Sequence, residues 1–312
     1  MELYLRKINH LYLRLRISIK KHWFLYLLVL PSVIYVFIFR YVPIYGLLIA
    51  FKDYSIRKGI LGSPWVGFKH FNILFTDPYF YKVLWNTIII NIYNITFGFI
   101  FTITLALFLN EIRISTFKKA FQTTVYMPNF LSWVVFSGLI TMVLSPSGGI
   151  LNKIISVLGG EEIYFLIEPK YFRAILVSSS IIKSAGFGTI IYLAAIAGIN
   201  TELYDAAIID GAHRGQLMRY ITFQRIKPTI AVLLILSVAG IFGSNFEQVY
   251  TLYSPLVYDT GDVLSTYLYR TGLIDGRFEM ATAIGLVFNI IGLILIITTN
   301  KFIEKMNVMG IF

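Results

Sequence analysis

The residue types that most often carry catalysis or bind metals are few in this sequence and are not arranged for either task. The four histidines, His10, His22, His70 and His213, form no H-E-x-x-H pair or other metal-ligand spacing. Cysteine is absent from the 312 residues, which excludes disulfides and thiolate metal sites. No G-x-x-x-x-G-K-[ST] motif occurs, so the sequence predicts no P-loop for nucleotide phosphates. We therefore expect neither an enzyme nor a metal or cofactor bound by this chain.

The remaining candidates for chemistry are polar side chains within or beside long apolar segments. Such side chains are costly in lipid and commonly face a helix bundle or a water-filled cavity. Lys183 could donate hydrogen bonds to a polar solute, or it could be a structural lysine paired with a neighbouring helix or subunit. The amides and aromatic rings could contact the same solute or could serve helix packing. The candidates for a polar path are Lys183, Asn91, Asn94, Asn129, Tyr192, Asn245, Glu247 and Gln248.

The composition indicates that lipid, rather than water, surrounds most of the chain. Hydrophobic residues make up 57% and charged residues 14% of the sequence, and the mean hydropathy is +0.74. The net charge of +11 suits loops that face anionic lipid better than it suits nucleic acid, so we expect no nucleic-acid partner.

Six apolar segments approach or exceed the about 20 residues that a membrane-spanning helix needs. We name them spans 1 to 6 and expect an all-α, polytopic membrane protein with a basic cytoplasmic segment 1–22 and a membrane domain 23–312. Lys and Arg collect on the side that holds both termini, which predicts cytoplasmic termini. The spans are 23–39 (continuing towards 51), 83–109, 120–144, 174–199, 229–246 and 280–300.

Two features of the outer connections lead to further expectations. Arg40 and Pro43 mark the outer end of span 1, where we expect a kink and an arginine that reaches water. Asp259 and Asp262 stand in a glycine-containing loop between spans 5 and 6. Two such carboxylates could bind a cation, but we expect both to be solvated.

The connection 200–228 between spans 4 and 5 has the most specific pattern in the chain. Asn200 or Thr201 can cap a helix with acidic residues in its first turn. Two alanines then allow another backbone to approach closely, and Gly211 permits a turn with positive φ. The sequence predicts a helix-turn-helix on the cytoplasmic face, which could be no more than an interfacial linker.

This connection resembles the EAA loop of ABC importer permeases, which has an acidic residue, two alanines and a glycine four residues later. Asp205 stands where glutamate is usual, and Gln224 stands where many members have proline. In that family the loop fits a groove on the ATPase subunit. The resemblance therefore implies an ATPase-coupling role for Tyr204, Asp205, Ala206, Ala207, Asp210, Gly211, Ala212 and Arg214.

Further segments are similar to the maltose-permease superfamily, and within it to the branch that imports oligosaccharides derived from polysaccharides. They include Arg40 to Tyr54, Trp65 to Phe68, Gly188 to Gly198 and Phe246 to Gln248. The resemblance implies a type I importer permease fold in the bacterial cytoplasmic membrane, and alternating access driven by ATP and Mg²⁺ on a separate ATPase. It implies as partners a second permease, two ATPase subunits, an extracytoplasmic solute-binding protein and an oligosaccharide, with Lys183 favouring an acidic one. The alternative is an ion-coupled secondary sugar transporter, which generally needs an intramembrane carboxylate that these spans lack.

Overall fold

A computed structural model describes residues 20–243 and 245–305 of the chain. Within these ranges the regular structure is helical, apart from one β-bridge between Lys52 and Trp65. Five helices are long and apolar enough to cross a membrane, and a bent helix pair raises the number to six. The predicted all-α, polytopic fold is confirmed. The chain divides into two compact units at His70.

The first unit is built around span 1, one apolar helix over Trp23–Phe51. It begins as α1 (Trp23–Val36), continues as a π-helical turn (Phe37–Tyr41) and ends as a 3-10 helix (Val42–Phe51). The helix changes type beside Pro43 because proline cannot donate a backbone hydrogen bond. A short helix, α2 (Gly59–Gly62), follows. The predicted basic segment 1–22 lies outside the described residues except for its last three.

The second unit holds the other spans and their connections. Spans 2 and 6 are single long helices that enclose the predicted segments 83–109 and 280–300. Span 4 is also a single long helix, but it ends at Ala197, before the end of the predicted segment 174–199. α4 packs along α8, and α11 packs along α15. The helices are α3 (Lys69–Thr76, at the boundary), α4 (Pro78–Glu111), α5 (Ser115–Tyr126), α6 (Trp133–Leu144), α7 (Ile150–Val157), α8 (Pro169–Ala197), α9 (Glu202–Ile209), α10 (Arg214–Gln216), α11 (Phe223–Ala239), α12 (Phe246–Leu252), α13 (Tyr258–Gly261), α14 (Leu264–Tyr269) and α15 (Phe278–Lys305).

The prediction of span 3 as one continuous helix is wrong. A 3-10 turn, Met127–Phe130, follows α5, and α6 leaves at an angle of 106° to the preceding helix. Pro128 cannot continue the pattern of backbone donors. The hydroxyl of Ser132 then accepts a hydrogen bond from the amide of Val135 at 3.3 Å, which caps the start of α6. Asn129 therefore lies in the break of span 3 rather than in a spanning helix.

Span 5 also differs from its prediction at its C-terminal end. It runs over Arg214–Ala239, and α11 ends at Ala239, with Gly240 as its cap, instead of reaching residue 246. Asn245 has a φ of 73° and precedes α12. Asparagine adopts this left-handed conformation more readily than most residues. Asn245 therefore stands in a turn between two helices.

The connection between spans 5 and 6 is fastened to the first turn of α4 by a buried acid. The carboxylate of Asp262 is fully buried. It lies 2.5 Å from the guanidinium of Arg270 and accepts hydrogen bonds from the hydroxyls of Tyr79 and, at 2.8 Å, Thr266. Burial lowers the pKa of Arg270, but the hydrogen bond and charge of Asp262 outweigh burial and raise this pKa above its ordinary value.

The expectation that both carboxylates are solvated is thus wrong for Asp262. That expectation came from the polar, glycine-containing sequence around Asp262. The sequence alone does not show that the side chain of Arg270 reaches Asp262 and neutralises its buried charge. Asp259 is largely exposed as expected, and its carboxylate lies 2.7 Å from Nζ of Lys82.

Candidate coupling surface and polar cavity

The connection between spans 4 and 5 forms the predicted helix-turn-helix. The side chain of Asn200 accepts a hydrogen bond from the amide of Glu202, the first residue of α9, at 3.0 Å. The helix ends in a turn in which Gly211 has a φ of 81°, as its position predicts. The amide of Ala212 donates to the carbonyl of Ala207 at 2.9 Å and closes the turn.

The second helix of the motif begins with a reciprocal cap. The backbone amide of His213 donates to the side-chain oxygen of Gln216 at 2.9 Å, and the amide of Gln216 donates to Nδ1 of His213 at 3.4 Å. The hydroxyls of Tyr204 and Thr222 lie 2.9 Å apart and join α9 to the π-helical segment before α11. These bonds hold both helices in one arrangement at the end of the spans.

The outward face of this motif is a surface suited to another protein. The side chains of Ile208, Ile209 and Tyr220 are 56%, 86% and 62% exposed. Exposed apolar clusters of this kind, bordered here by Asp205, Asp210 and Arg214, are typical of binding surfaces. A groove of about 270 Å³ runs between the two helices, and its lining includes four of the predicted coupling residues, Ala207, Asp210, Gly211 and Ala212.

A polar cavity of about 400 Å³ lies between α4, α8 and α11. It brings together four of the eight residues predicted for a polar path, Asn91, Asn94, Tyr192 and Asn245. The amide of Asn245 donates to the side-chain oxygen of Asn91 at 3.2 Å, and the amide of Asn91 donates to the carbonyl of Thr87 at 2.8 Å. The side-chain atoms of Asn94 are buried and have no hydrogen-bond partner among the described residues.

The sequence interpretation missed the small and hydroxyl-bearing residues of this cavity. On α8, Ser180, Ser184 and Gly188 line it at intervals of four residues, so they share one helix face. That spacing was the signal that could have revealed them. The described lining contains amides, hydroxyls and apolar groups but no charged side chain, so it suits neutral hydrogen-bonding groups.

The other predicted path residues lie outside this cavity. Gln248 is fully buried, and its amide donates to the carbonyl of Leu176 at 2.6 Å and to the hydroxyl of Ser179 at 2.8 Å. It therefore joins α12 to α8. Glu247 is exposed on the first turn of α12.

Lys183 is held by backbone carbonyls in the break of span 3. Its Nζ donates to the carbonyls of Leu131, Asn129 and Pro128 at 2.6, 3.1 and 3.3 Å. The residue is 7% exposed. Of the two interpretations of Lys183, this geometry matches the structural lysine paired with a neighbouring helix.

Comparisons with known proteins agree with this architecture. Residues 102–303 match the family described as binding-protein-dependent transport system inner membrane component. The polygalacturonan/rhamnogalacturonan transport system permease protein YteP of Bacillus subtilis is 43% identical over 299 residues, which cover 96% of this chain and 93% of YteP. Protein LplB of the same organism is 40% identical over 295 residues, 95% of this chain and 93% of LplB.

Two solved structures share the fold over nearly its whole length. A crystal structure of a bacterial ABC transporter that imports the acidic polysaccharide alginate matches with a TM-score of 0.88 and 42% identity, over 94% of this chain and 99% of that one. A structure of the alginate transporter in complex with its alginate pentasaccharide-bound periplasmic protein also matches. Its TM-score is 0.88 and its sequence identity is 41%, over 96% of this chain and 100% of that one. These similarities exclude the ion-coupled alternative. The chain belongs to the family of binding-protein-dependent transport system inner membrane components, the permease subunits of ABC importers.

Proposed function

We propose that this chain is one of two different permease subunits of an importer for oligosaccharides released from acidic, uronate-containing polysaccharides. Two similar proteins support this substrate class by what they carry, polygalacturonan or rhamnogalacturonan for YteP and alginate for the transporter of known structure. An extracytoplasmic binding protein delivers the substrate, as a periplasmic protein accompanies the alginate transporter.

The observation that carries the proposal is the exposed helix-turn-helix of α9 and α10. An ATPase subunit binds there, with the side chains of Ile208, Ile209 and Tyr220 as apolar contacts. ATP and Mg²⁺ bind to that partner, since this sequence has no P-loop. Two ATPases serve the two permeases. Their closure moves the helix-turn-helix of α9 and α10, which we call the coupling motif, and the spans rock between outward-open and inward-open states.

The orientation follows from the same surface. Because the ATPase is cytoplasmic, α9 and α10 lie inside the cell, and the buried ion pair of Asp262 and Arg270 lies at the opposite, outer end of α4. In this proposal both termini are cytoplasmic. The excess of Lys and Arg near the termini and in the connection 200–228 is consistent with this orientation.

The polar cavity provides the path through this subunit. Amides of Asn91, Asn94 and Asn245 are able to bind sugar hydroxyls. The ring of Tyr192 is only 2% exposed and packs in a hydrophobic cluster with Ile196 and Ile226, so it supports the cavity wall. Since the described lining has no cation, the uronate carboxylates are recognised by the binding protein or the second permease. Lys183, Glu247 and Gln248 are not ligands in this proposal.

The test is the ATPase activity of the complete reconstituted complex with its binding protein, measured with oligogalacturonides, oligomannuronides and neutral oligosaccharides of equal length. We expect acidic oligosaccharides to stimulate ATP hydrolysis and to enter the proteoliposomes. Stimulation by neutral oligosaccharides alone would contradict the substrate class. Uptake that follows an ion gradient without ATP would contradict the mechanism.

A further inference from the structure

The break in span 3 exposes backbone groups at a depth where membrane proteins rarely leave them. Residues 131 and 132 are not helical, and α6 leaves at 106°. The carbonyl of Pro128 accepts from the amide of Leu131 at 3.3 Å, whereas the carbonyls of Asn129 and Leu131 have no backbone donor among the described residues. In lipid, a backbone polar group without a partner costs several kcal/mol, so irregular backbone needs an internal partner.

Lys183 is that partner. It occupies the midpoint of α8, hence the middle of span 4. Its amino group has three donors, and these reach the carbonyls of Pro128, Asn129 and Leu131. A lysine at the carbonyl end of a helix also interacts favourably with the helix dipole.

Aromatic rings of α6 complete the environment of the same amino group. Nζ of Lys183 lies 5.3 Å from the ring centre of Trp133 and 5.9 Å from that of Phe136. One side chain of span 4 therefore contacts the end of the first half of span 3 and the start of its second half.

A glycine fixes a second point between the same elements. Gly186 lies about one turn after Lys183 on α8, and a Cβ atom there would overlap the backbone carbonyl of Val125 in α5. The absence of a side chain lets the two helices approach closely. Together, Gly186 and Lys183 hold the first half of span 3 in place while the second half departs.

The direction of α6 matters because α6 contacts α12, and the residue directly before α12 lines the polar cavity. The hydroxyls of Ser137 on α6 and Thr251 on α12 lie 2.6 Å apart. α12 begins directly after Asn245, which lines the polar cavity. We propose that Lys183 is a positioning residue that sets the bend of span 3 and, through α6 and α12, the position of Asn245 in the cavity.

The bend can be measured directly because the chain contains no cysteine. Thr124 and Met142 lie on exposed positions of α5 and α6, so Thr124→Cys and Met142→Cys introduce one spin-label pair across the break. The distance distribution is recorded in the complete complex, made otherwise cysteine-free, in lipid nanodiscs. We compare Lys183→Met, which removes all donors, with Lys183→Arg, which keeps donors. The matched control is Ile182→Met, whose wild-type side chain is 58% exposed on the same helix.

We expect Lys183→Met to shift or broaden the distance distribution and to raise the KM for oligosaccharide uptake by roughly threefold to tenfold. The distance distribution and KM of Lys183→Arg should be closer to those of the wild type, and Ile182→Met should have wild-type values of both. If Lys183→Met does not assemble, Lys183→Gln, which has fewer donors and a shorter side chain, is measured in the same way.

Identical distance distributions for the wild type and Lys183→Met would overturn the proposal. An unchanged distance with a higher KM for carboxylated oligosaccharides alone would also overturn it, because Lys183 would then be a substrate ligand. The uptake assay depends on the proposed function, whereas the distance measurement does not. Absence of oligosaccharide uptake by the wild-type complex would therefore contradict the proposed function. The spin-label distances would still test whether Lys183 sets the bend.

Discussion

The phenolic oxygen of Tyr204 lies 2.9 Å from the hydroxyl of Thr222, and this contact joins the first helix of the coupling motif to the base of span 5. Thr222 is 3% exposed, so the bond is shielded from water on that side. A force applied to α9 by a moving partner therefore reaches span 5 through a direct side-chain contact as well as through the turn at Gly211.

Removal of this contact should loosen the coupling motif. Tyr204→Phe and Thr222→Val each delete one hydroxyl, and each should cost about 1 kcal/mol of stability. We expect both variants to transport less oligosaccharide per ATP hydrolysed. A double-mutant cycle isolates the contact, since the double variant should lose less than the sum of the single variants. Strictly additive losses would contradict a functional contact, and Tyr164→Phe, at an exposed outer tyrosine, serves as control.

The backbone of Gly211 gives a second prediction. Its φ of 81° disfavours every L-residue, and a proline cannot adopt it because its ring fixes φ near −65°. Gly211→Ala should cost about 1 kcal/mol, and Gly211→Pro should abolish the stimulation of ATP hydrolysis by loaded binding protein while membrane insertion persists.

A second glycine separates local strain from coupling. Gly148 has a φ of 83°, and a Cβ atom there meets no heavy atom within 4 Å, as at Gly211. Gly148→Ala should carry the same backbone cost in the connection between spans 3 and 4, which lies away from α9 and α10. Equal loss of stimulated ATPase activity in Gly148→Ala and Gly211→Ala would contradict the special role of the coupling turn.

The buried ion pair of Asp262 and Arg270 gives a further prediction, a large loss of stability when its cation is removed. Arg270→Met leaves Asp262 buried without its cation, which typically costs about 3–5 kcal/mol. The double variant Asp262→Asn with Arg270→Met should recover part of this loss. The measurement is the apparent Tm of the detergent-solubilised complex at one fixed scan rate, because membrane complexes often unfold irreversibly.

The exposed pair on the same face is the matched control. Nζ of Lys82 lies 2.7 Å from the carboxylate of Asp259, and both side chains are substantially exposed. Lys82→Met should change stability by about 1 kcal/mol or less. Similar shifts of Tm for Lys82→Met and Arg270→Met would contradict the conclusion that the buried Asp262 pair stabilises the protein more than the exposed pair does.

The sequence predicted what depends on local pattern. Apolar length predicted spans 2, 4 and 6 because a helix must satisfy its own backbone groups in lipid. Gly211 predicted a turn with positive φ because few other residues adopt it. Both conclusions require only neighbouring residues.

Features that depend on distant partners were not predicted. Pro128, Asn129 and Ser132 mark the break of span 3 locally, but its contact with Lys183, which lies more than 50 positions later in the chain, does not follow from neighbouring residues. Asp262 looked like a loop carboxylate because burial beside Tyr79 and Arg270 is a property of packing. Asn245 looked like part of span 5 because an apolar segment precedes it and Phe246 follows it, although α11 ends at Ala239.

The unpaired amide of Asn94 gives the last prediction. Both polar atoms of its side chain are buried in the cavity wall without a hydrogen-bond partner among the described residues. Such a group lowers stability by about 1–3 kcal/mol and is retained when it serves binding. Asn94→Leu should therefore raise the Tm of the complex and also raise the KM for oligosaccharide uptake.

Asn152 supplies the contrasting variant, because its side chain makes three hydrogen bonds at 2.9–3.0 Å, with the backbone of Ser145 and Ile163. Asn152→Leu breaks all three, so it should lower the Tm and leave the KM unchanged. Parallel measurement of Tm and KM for the two variants distinguishes an amide that binds substrate from one that holds a loop. A lower Tm with an unchanged KM for Asn94→Leu would show that Asn94 stabilises the fold and does not bind substrate. That outcome would contradict its proposed role as a sugar ligand in the cavity.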